Sequence, residues 1–193
     1  MAIALVACVA SSCASSTGKF HVDRDEFFAS TRTLLVMPME GPKFDPAHLS
    51  YIDREVMEVL ADHGFGTVDG SQPQEAELRA NEIDAVLLKG LVARDALFDN
   101  FDAQWDGVEV DFELPTSGPY GLTDTYRGKV QGLSLYISIA DSEGNMLFEG
   151  FGGIGLLRRW NANRIEEVDP ATLLVDPDVV DRAVSVALSS LER

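Results

Sequence analysis

A segment of strict alternation near the carboxyl end constrains the fold of this chain more than any other feature. Residues 133–139 read LSLYISI, with an aliphatic side chain at every second position, which is the period of a β-strand that buries one face. Residues 141–145, DSEGN, have the composition of a tight turn, and a second apolar run follows over 146–157. This order predicts an antiparallel hairpin.

The first half of the chain alternates predicted strands with predicted helices. Three aliphatic runs predict buried strands, at residues 33–37, 65–68 and 84–93. A capped amphipathic helix is predicted from Asp45 to Gly64, and a short polar helix over 73–81. Two consecutive strand–helix–strand units favour parallel pairing through crossover connections.

An amphipathic helix is predicted after Pro177 at the end of the chain. Its apolar stripe consists of Val179, Val180, Ala183, Val184, Ala187, Leu188 and Leu191. Together the elements follow the order β-α-β-α-β-β-β-α. We therefore predict an α+β fold, an α/β sandwich in which helices pack against a mixed sheet of about five strands.

The first sixteen residues, MAIALVACVASSCASS, contain both cysteines of the chain and no charged side chain. An apolar run that leads into small residues has the order of a signal segment before its processing site. This stretch resembles a bacterial lipoprotein signal, and the resemblance implies that Cys13 is lipidated, with Cys8 as the alternative. No Lys or Arg precedes the apolar run, so we expect the signal to start upstream of Met1.

The resemblance to lipoprotein signals also implies a location. Neither Ala14 nor Val9 is the aspartate that retains enterobacterial lipoproteins at the inner membrane, which implies the outer membrane, on its periplasmic face, with lipid as the only anchor. We assign residues 1–13 to the signal, 14–31 to a short polar tether, and 32–193 to a single domain. A tether of about 18 residues reaches at most about 60 Å, so the domain is expected near its membrane.

A long excursion, residues 94–129, separates the third predicted strand from the hairpin. Loops longer than about 12 to 15 residues are usually functional or disordered, and the excursion is too aromatic for disorder. Its aromatic residues are Phe98, Phe101, Trp105, Phe112, Tyr120 and Tyr126. We predict that Phe98, Phe101 and Trp105 contact a protein partner or a second copy of the chain. The alternative is a local satellite core.

The same excursion carries a cluster of carboxylates. Its aspartates include Asp95, Asp99, Asp102 and Asp106. Calcium prefers six to eight oxygen ligands, but the spacing lacks the order of an EF-hand loop. A solvated acidic face is therefore the expectation, and calcium binding stays open as an alternative.

Charge and cysteine content exclude several kinds of function. Fifteen Lys and Arg against 32 Asp and Glu leave a formal net charge of −17, which repels nucleic acid. No cysteine follows Cys13, so the domain cannot contain a disulfide, a thiolate zinc site or a thiol nucleophile. We expect no cofactor, no metal and no enzymatic activity.

A glycine-rich segment, residues 150–155 (GFGGIG), matches the pattern G-x-G-x-x-G of dinucleotide-binding turns. Such a turn requires a helix that starts directly after the glycines and binds the pyrophosphate at its N-terminus. Residues 156–161, LLRRWN, have neither a cap nor a helical period. We therefore predict strand glycines, which allow a bulge or the close approach of another backbone.

The order of elements resembles a known superfamily. The segments TLLVMPM, IDAVLLKG and LSLYISIADSEGNMLFEG are similar to strands of the amino-terminal domain of TolB and of CsgG-like lipoproteins, which act in curli secretion, exopolysaccharide export and penicillin-binding-protein activation. The resemblance covers about residues 32–192. It implies the fold more than one function, because one fold serves many roles.

The leading functional hypothesis is a non-enzymatic, periplasm-facing lipoprotein. It would act as an assembly or accessory subunit of envelope export or cell-wall machinery, and its partners would be envelope proteins or further copies of itself. Two alternatives stay open. One is a periplasmic module that binds a small ligand or calcium, and the other is an unrecognised hydrolase, for which no G-x-S-x-G elbow is present.

Overall fold

The computed structural model describes residues 18–41, 43–98, 103–110, 128–161 and 164–192. Both lipidation candidates, Cys8 and Cys13, and the aromatic residue Phe101 lie outside these ranges. Within the ranges, no helix combines the length and the apolar character that crossing a bilayer requires.

Strands and helices alternate in the first half of the described chain, and strands dominate the second half. The strands are β1 (Gly18–Phe20), β2 (Thr33–Val36), β3 (Gly66–Asp69), β4 (Ala85–Phe98), β5 (Ala103–Trp105), β6 (Val108–Val110), β7 (Gly128–Ala140), β8 (Met146–Asn161) and β9 (Arg164–Glu167). The α-helices are α1 (Arg24–Ser30), α2 (Pro46–Asp62), α3 (Pro73–Leu78), α4 (Pro170–Leu173) and α5 (Pro177–Leu188). Short 3-10 turns cover Ala80–Glu82 and Ser189–Leu191.

Among the described residues, seven strands form one mixed sheet in the order β1-β8-β7-β4-β2-β3, with β9 paired to β8. Strand β2 pairs in parallel with β3 and with β4, and the remaining pairs of this sheet are antiparallel. Strands β5 and β6 form a separate hairpin. The predicted α+β fold is confirmed, including the β7–β8 hairpin and both parallel units, and β1 and β9 extend the sheet beyond the predicted strands.

The core lies between one face of the sheet and the helices. The sheet contributes alternate residues of its strands, among them Leu34, Val36, Leu87, Leu135, Ile137 and Ile139, all fully or nearly fully buried. Helix α2 contributes Ile52, Val56 and Leu60, and helix α5 contributes Val180, Val184 and Leu188. Side chains of α1 and α4 pack on the same core. The predicted stripe of the last helix is therefore confirmed.

The prediction of a polar tether over residues 14–31 is wrong from residue 18 onward. Strand β1 pairs with Phe148–Gly150 of β8, and Phe27 of α1 is fully buried. The Phe20 ring lies 5.2 Å from both the Phe27 and the Phe148 ring, measured between centroids. This aromatic cluster joins residues more than 100 positions apart, so local composition could not reveal it.

The predicted excursion also starts too early and ends too late. Strand β4 continues to Phe98 and pairs there with Gly128, the first residue of β7. The intervening segment is therefore residues 99–127, of which the structure describes 103–110. A tract with mixed aromatic and acidic character, such as 94–98, extends a strand here because β7 supplies a long partner.

The glycine-rich segment lies in β8, as predicted. A Cβ added to Gly150 would overlap the carbonyl oxygen of Ala187, and one added to Gly152 would overlap that of Ala183. Helix α5 therefore lies directly on the backbone of β8, which confirms the close-approach interpretation. Strand β8 continues to Asn161, so the helix that a dinucleotide turn requires does not follow.

Candidate functional site

The face of the sheet opposite the helices carries an apolar patch, which Glu149 borders at β8 in the same cross-strand row as Leu88. Gly90 of β4, Tyr136 of β7 and Phe151 of β8 form one row across three neighbouring strands, and the Tyr136 and Phe151 ring centroids are 5.0 Å apart. Leu88 is 50% exposed, and a Cβ added to Gly90 would meet no atom within 4 Å. We call this patch, made of Val86, Leu88, Gly90, Tyr136 and Phe151, the open face.

Arg94 borders the open face and connects it to the hairpin of β5 and β6. Its guanidinium carbon lies 4.0 Å from the centroid of the Phe151 ring, a distance at which a cation is attracted to the ring face. The same guanidinium donates a hydrogen bond of 2.6 Å to a carboxylate oxygen of Asp106. The charge of Arg94 is thus already matched within the molecule.

Asp106 fixes the tip of the hairpin to the sheet. Its Oδ2 accepts hydrogen bonds from Arg94 and, at 2.6 Å, from the Ser134 hydroxyl. Its carbonyl oxygen accepts the Gly153 N–H at 2.7 Å. Asp106 is only 9% exposed. We call these four residues, Arg94, Asp106, Ser134 and Gly153, the latch.

The local sequence explains why the hairpin turns at this point. Asp106 and Gly107 have φ values of 45° and 83°, the left-handed values that a two-residue hairpin turn needs and that Asp-Gly pairs adopt most readily. A Cβ added to Gly107 would also lie 2.8 Å from the Val186 side chain of α5. The tip therefore contacts both the sheet and a helix.

The latch occupies a stretch of β8 that no neighbouring strand covers on its outer side within the described residues. Residues Phe148–Gly150 pair with β1, and Arg158–Asn161 pair with β9. Gly153 lies between them and donates its N–H to the hairpin. The hairpin tip thus supplies an acceptor to an edge that would otherwise expose a free backbone donor.

The structure positions only part of the predicted contact surface. Phe98 is the last residue of β4. Trp105 is the last residue of β5, directly before Asp106, and its backbone pairs with Val108 of β6. The side chains of Phe98 and Trp105, like the whole of Phe101, lie outside what the structure describes. The prediction that these three residues bind a partner stays a prediction.

Sequence reasoning missed the role of Asp106. Its place in the acidic stretch makes it, with Asp95, Asp99 and Asp102, one of several candidate calcium ligands, whereas its carboxylate accepts hydrogen bonds from Arg94 and Ser134. The Asp-Gly pair itself was the available signal, since it marks a hairpin tip. Within the described ranges, no three potential ligands group around a possible metal position.

A second concave region lies at the carboxyl ends of β2 and β3, and we call it the strand-end cleft. Its volume is about 600 Å³. The lining comes from the loop after β2, the start of α2 and the end of β3: Pro38, Met39, Glu40, Gly41, Pro46, Leu49, Ser50, Asp53, Arg54, Met57, Asp69 and Ser71.

A buried ion pair closes the base of the strand-end cleft. The Lys89 side chain is fully buried, and its Nζ lies 2.9 Å from Oδ1 of Asp53 and donates to the carbonyl oxygen of Met37. Asp53 also accepts the Met39 N–H at 3.1 Å. Burial lowers the pKa of Lys89 below its usual value, and the carboxylate of Asp53 opposes that shift. The pair ties β4 to α2 and to the loop after β2.

Asp69 at the end of β3 remains a carboxylate. Partial burial raises its pKa, but hydrogen bonds from Ser71 and Gln72 outweigh this effect and hold the pKa below its usual value. The Ser71 N–H donates to Oδ1 at 2.8 Å, and the Gln72 amide donates to Oδ2 at 3.2 Å. Asp69 therefore adds negative charge to the cleft.

The comparison with solved structures finds distant likenesses. No protein-family model matches the chain, and no curated protein does. A structure of the PelC dodecamer from Paraburkholderia phytofirmans is similar at a TM-score of 0.44 and 11% identity, over 85% of this chain and 91% of that chain. A structure of a PelC point variant from the same organism, also a dodecamer, has a TM-score of 0.43 and 12% identity, over 84% and 89%.

Proposed function

We propose that the protein is a non-enzymatic lipoprotein subunit that works by protein–protein contact. It is anchored by lipid in the outer membrane, faces the periplasm, and serves as an assembly or accessory part of envelope export or cell-wall machinery. The open face is the observation that carries the contact role. The signal-like stretch that ends at Cys13 supports the anchor.

The open face has the properties of a contact surface. Helices α1, α2, α4 and α5 all pack on the core at the other side of the sheet, while Leu88 exposes half of its side chain. The neighbouring charges are paired, Arg94 with Asp106 and Glu149 with Lys19. On a chain with a net charge of −17, an apolar surface whose bordering charges are paired is where a protein partner or a second copy can approach with little repulsion.

The start of β1 makes the proposed anchor shorter than the sequence analysis predicts. Only five residue steps separate Cys13 from Gly18, a reach of about 18 Å at most when fully extended. A domain held this closely would meet partners that are themselves at the same membrane. This reach favours an assembly role at the membrane surface over a role at a distance.

Two leucines provide a matched test of the contact role. Leu88 lies on the open face and is 50% exposed, whereas Leu78 lies on α3 and is 86% exposed. We expect the wild-type protein, solubilised from membranes in mild detergent, to migrate on native gels as a complex. Leu88→Glu should reduce that complex to the free subunit, and Leu78→Glu should leave it intact.

Two outcomes would count against the proposal. The first is a wild-type protein that migrates as a free monomer at its native level. The second is a complex that Leu88→Glu and Leu78→Glu affect equally. Thermal unfolding of both variants must match the wild type closely, which we expect because both side chains are exposed.

A further inference from the structure

The strand-end cleft lies outside the carboxyl ends of β2 and β3, two neighbouring parallel strands that α2 connects. In open α/β sheets, ligands bind outside the carboxyl ends of the parallel strands. Lys89 of β4, which pairs with β2 on its other side, forms the base of the cleft.

The lining of the cleft suits an aliphatic side chain. Met39 and Leu49 belong to the core and present the cleft with a small exposed fraction, 6% each, and Met57 of α2 packs against the same core and is only partly buried. Methionine side chains adapt to the shape of what they contact. The stem of a long side chain could therefore pack on this wall while its polar end remains at the rim.

The charge balance of the cleft leaves two carboxylates without an ion pair, although the ammonium of Lys89 attracts one of them, Asp69, at longer range. Asp53 is matched by Lys89. Arg54 is stacked on Tyr51 and pairs with Glu55 and Glu58, at 3.3 and 3.6 Å. Neither Glu40 nor Asp69 forms an ion pair with a described residue. The cleft thus offers an apolar wall and a negative rim.

We propose that the strand-end cleft binds a lysine or arginine side chain from an extended segment of a partner protein, with an apolar residue beside it. The aliphatic stem contacts Met39 and Met57, and the charged end pairs with Glu40 and Asp69. This site is separate from the open face and does not depend on the proposed function.

Other ligand classes fit the cleft less well. A divalent metal ion needs several ligands around one point, and no such group exists within the described residues. An anion would meet the carboxylates of Glu40 and Asp69. The matching apolar wall and negative rim favour a basic side chain over a bare cation, which would leave Met39 and Met57 without a contact.

A pair of short peptides separates charge from shape. The probes are acetyl-Leu-Arg-Leu amide and the same peptide with citrulline, which keeps the length of arginine and lacks its charge. Two-dimensional NMR of the isotope-labelled protein should show saturable shifts of amides in the cleft, such as those of Gly41, Ser50 and Ser71. Affinity for the citrulline peptide should be lower by about fivefold or more.

Variants of the rim complete the experiment. Glu40→Gln and Asp69→Asn together should weaken binding of the arginine peptide by about fivefold or more, to the level of the citrulline peptide. Asparagine keeps an oxygen that can accept the Ser71 N–H, which protects the local turn. Glu77→Gln, an exposed acidic position on α3 outside the cleft lining, is the matched control and should bind as the wild type does. Met57→Trp, which fills the cleft, should abolish binding whether or not the rim variants fold.

Several results would overturn this inference. They are equal affinity for both peptides, the absence of a saturable shift, shifts that map outside the cleft, or unchanged binding by Met57→Trp. Leu88→Glu separates the two proposals, because it should bind the arginine peptide normally. If Leu88→Glu loses the native-gel complex and the wild-type protein does not bind the arginine peptide, the cleft proposal is wrong and the open-face proposal remains in place.

Discussion

At the scale of single residues, Asp106 shows how one buried carboxylate organises the start of a long insertion. Its side chain joins Arg94 of β4 to Ser134 of β7, and its backbone binds Gly153 of β8. Its positive φ selects a residue that tolerates the left-handed region. The side chain and the backbone therefore impose separate requirements on this position.

Asp106→Ala should destabilise the protein by about 2 to 3 kcal/mol. The change leaves the Ser134 hydroxyl without its acceptor and Arg94 without its ion-pair partner, although the cost is moderated because the Arg94 side chain is 39% exposed. Asp106→Asn keeps an acceptor and tolerates the positive φ, so it should cost clearly less. A urea midpoint of Asp106→Ala equal to that of the wild type would show that the latch contributes little.

The ion pair below the strand-end cleft should respond asymmetrically to mutation. Asp53→Ala removes the ion-pair partner of the fully buried Lys89 ammonium and should cost about 3 kcal/mol or more. Lys89→Met should cost less, because the Asp53 side chain is 19% exposed and still accepts the Met39 N–H. Chemical unfolding of both variants checks the order, and the reverse order would contradict the geometry of the pair.

The pH dependence of stability should reveal Lys89. Its pKa in the folded protein lies below the usual value of 10.5, so between these two values the folded chain binds fewer protons than the unfolded chain. The stability contributed by this group therefore rises with pH across that window. The free energy of unfolding of the wild type, minus that of Lys89→Met, should increase as the pH approaches 10.5. A difference that stays constant would contradict the lowered pKa of Lys89.

At the scale of elements, the sequence predicts the strands and helices whose pattern is local and misses those that depend on residues far away in the chain. Strand β7 and helix α5 were predicted because their periods are written in contiguous residues, and the Asp45 cap located the start of α2. Strand β1 and helix α1 were missed because they depend on distant partners, such as Phe148 of β8. The glycine segment of β8 was interpreted correctly only because the residues after it lack helical character.

The contact between α5 and β8 has a matched test in two strand glycines. Gly152→Ala places a Cβ against the carbonyl oxygen of Ala183 and should destabilise by about 1 to 3 kcal/mol, because the helix must move outward. Gly90→Ala adds a Cβ in open space on the same sheet and should be neutral or slightly stabilising. Similar melting temperatures for the two variants would contradict the close approach of α5.

At the scale of the whole molecule, the sequence pattern does not show which faces of the sheet are covered by helices. The run over residues 84–93 is mostly apolar, with aliphatic side chains on both faces, which is typical of a strand that is buried on both sides. Leu87 is indeed fully buried, but its neighbour Leu88 is half exposed. Covering of a face depends on where helices pack, and the periods of individual segments do not contain that information.

The candidate sites were therefore only partly accessible to sequence reasoning. An aromatic and acidic excursion was recognised, but its anchoring through Asp106 depends on Arg94 and Ser134, which come from two other strands. The strand-end cleft arises from the parallel pairing of β2 with β3 and β4, and none of its residues carries a recognisable motif. The open face appears only when three strands are aligned in register.

The central claim, that the open face is a contact surface, is tested most directly by photo-crosslinking in growing cells. A photoreactive amino acid at position 88 should yield a discrete crosslinked product, and the same amino acid at position 78 should not. Adding Gly90→Gln, which places a side chain into the open space above the sheet, should abolish the product while the protein level stays unchanged. No product at position 88, or a product that also forms at position 78 and persists with Gly90→Gln, would contradict the claim.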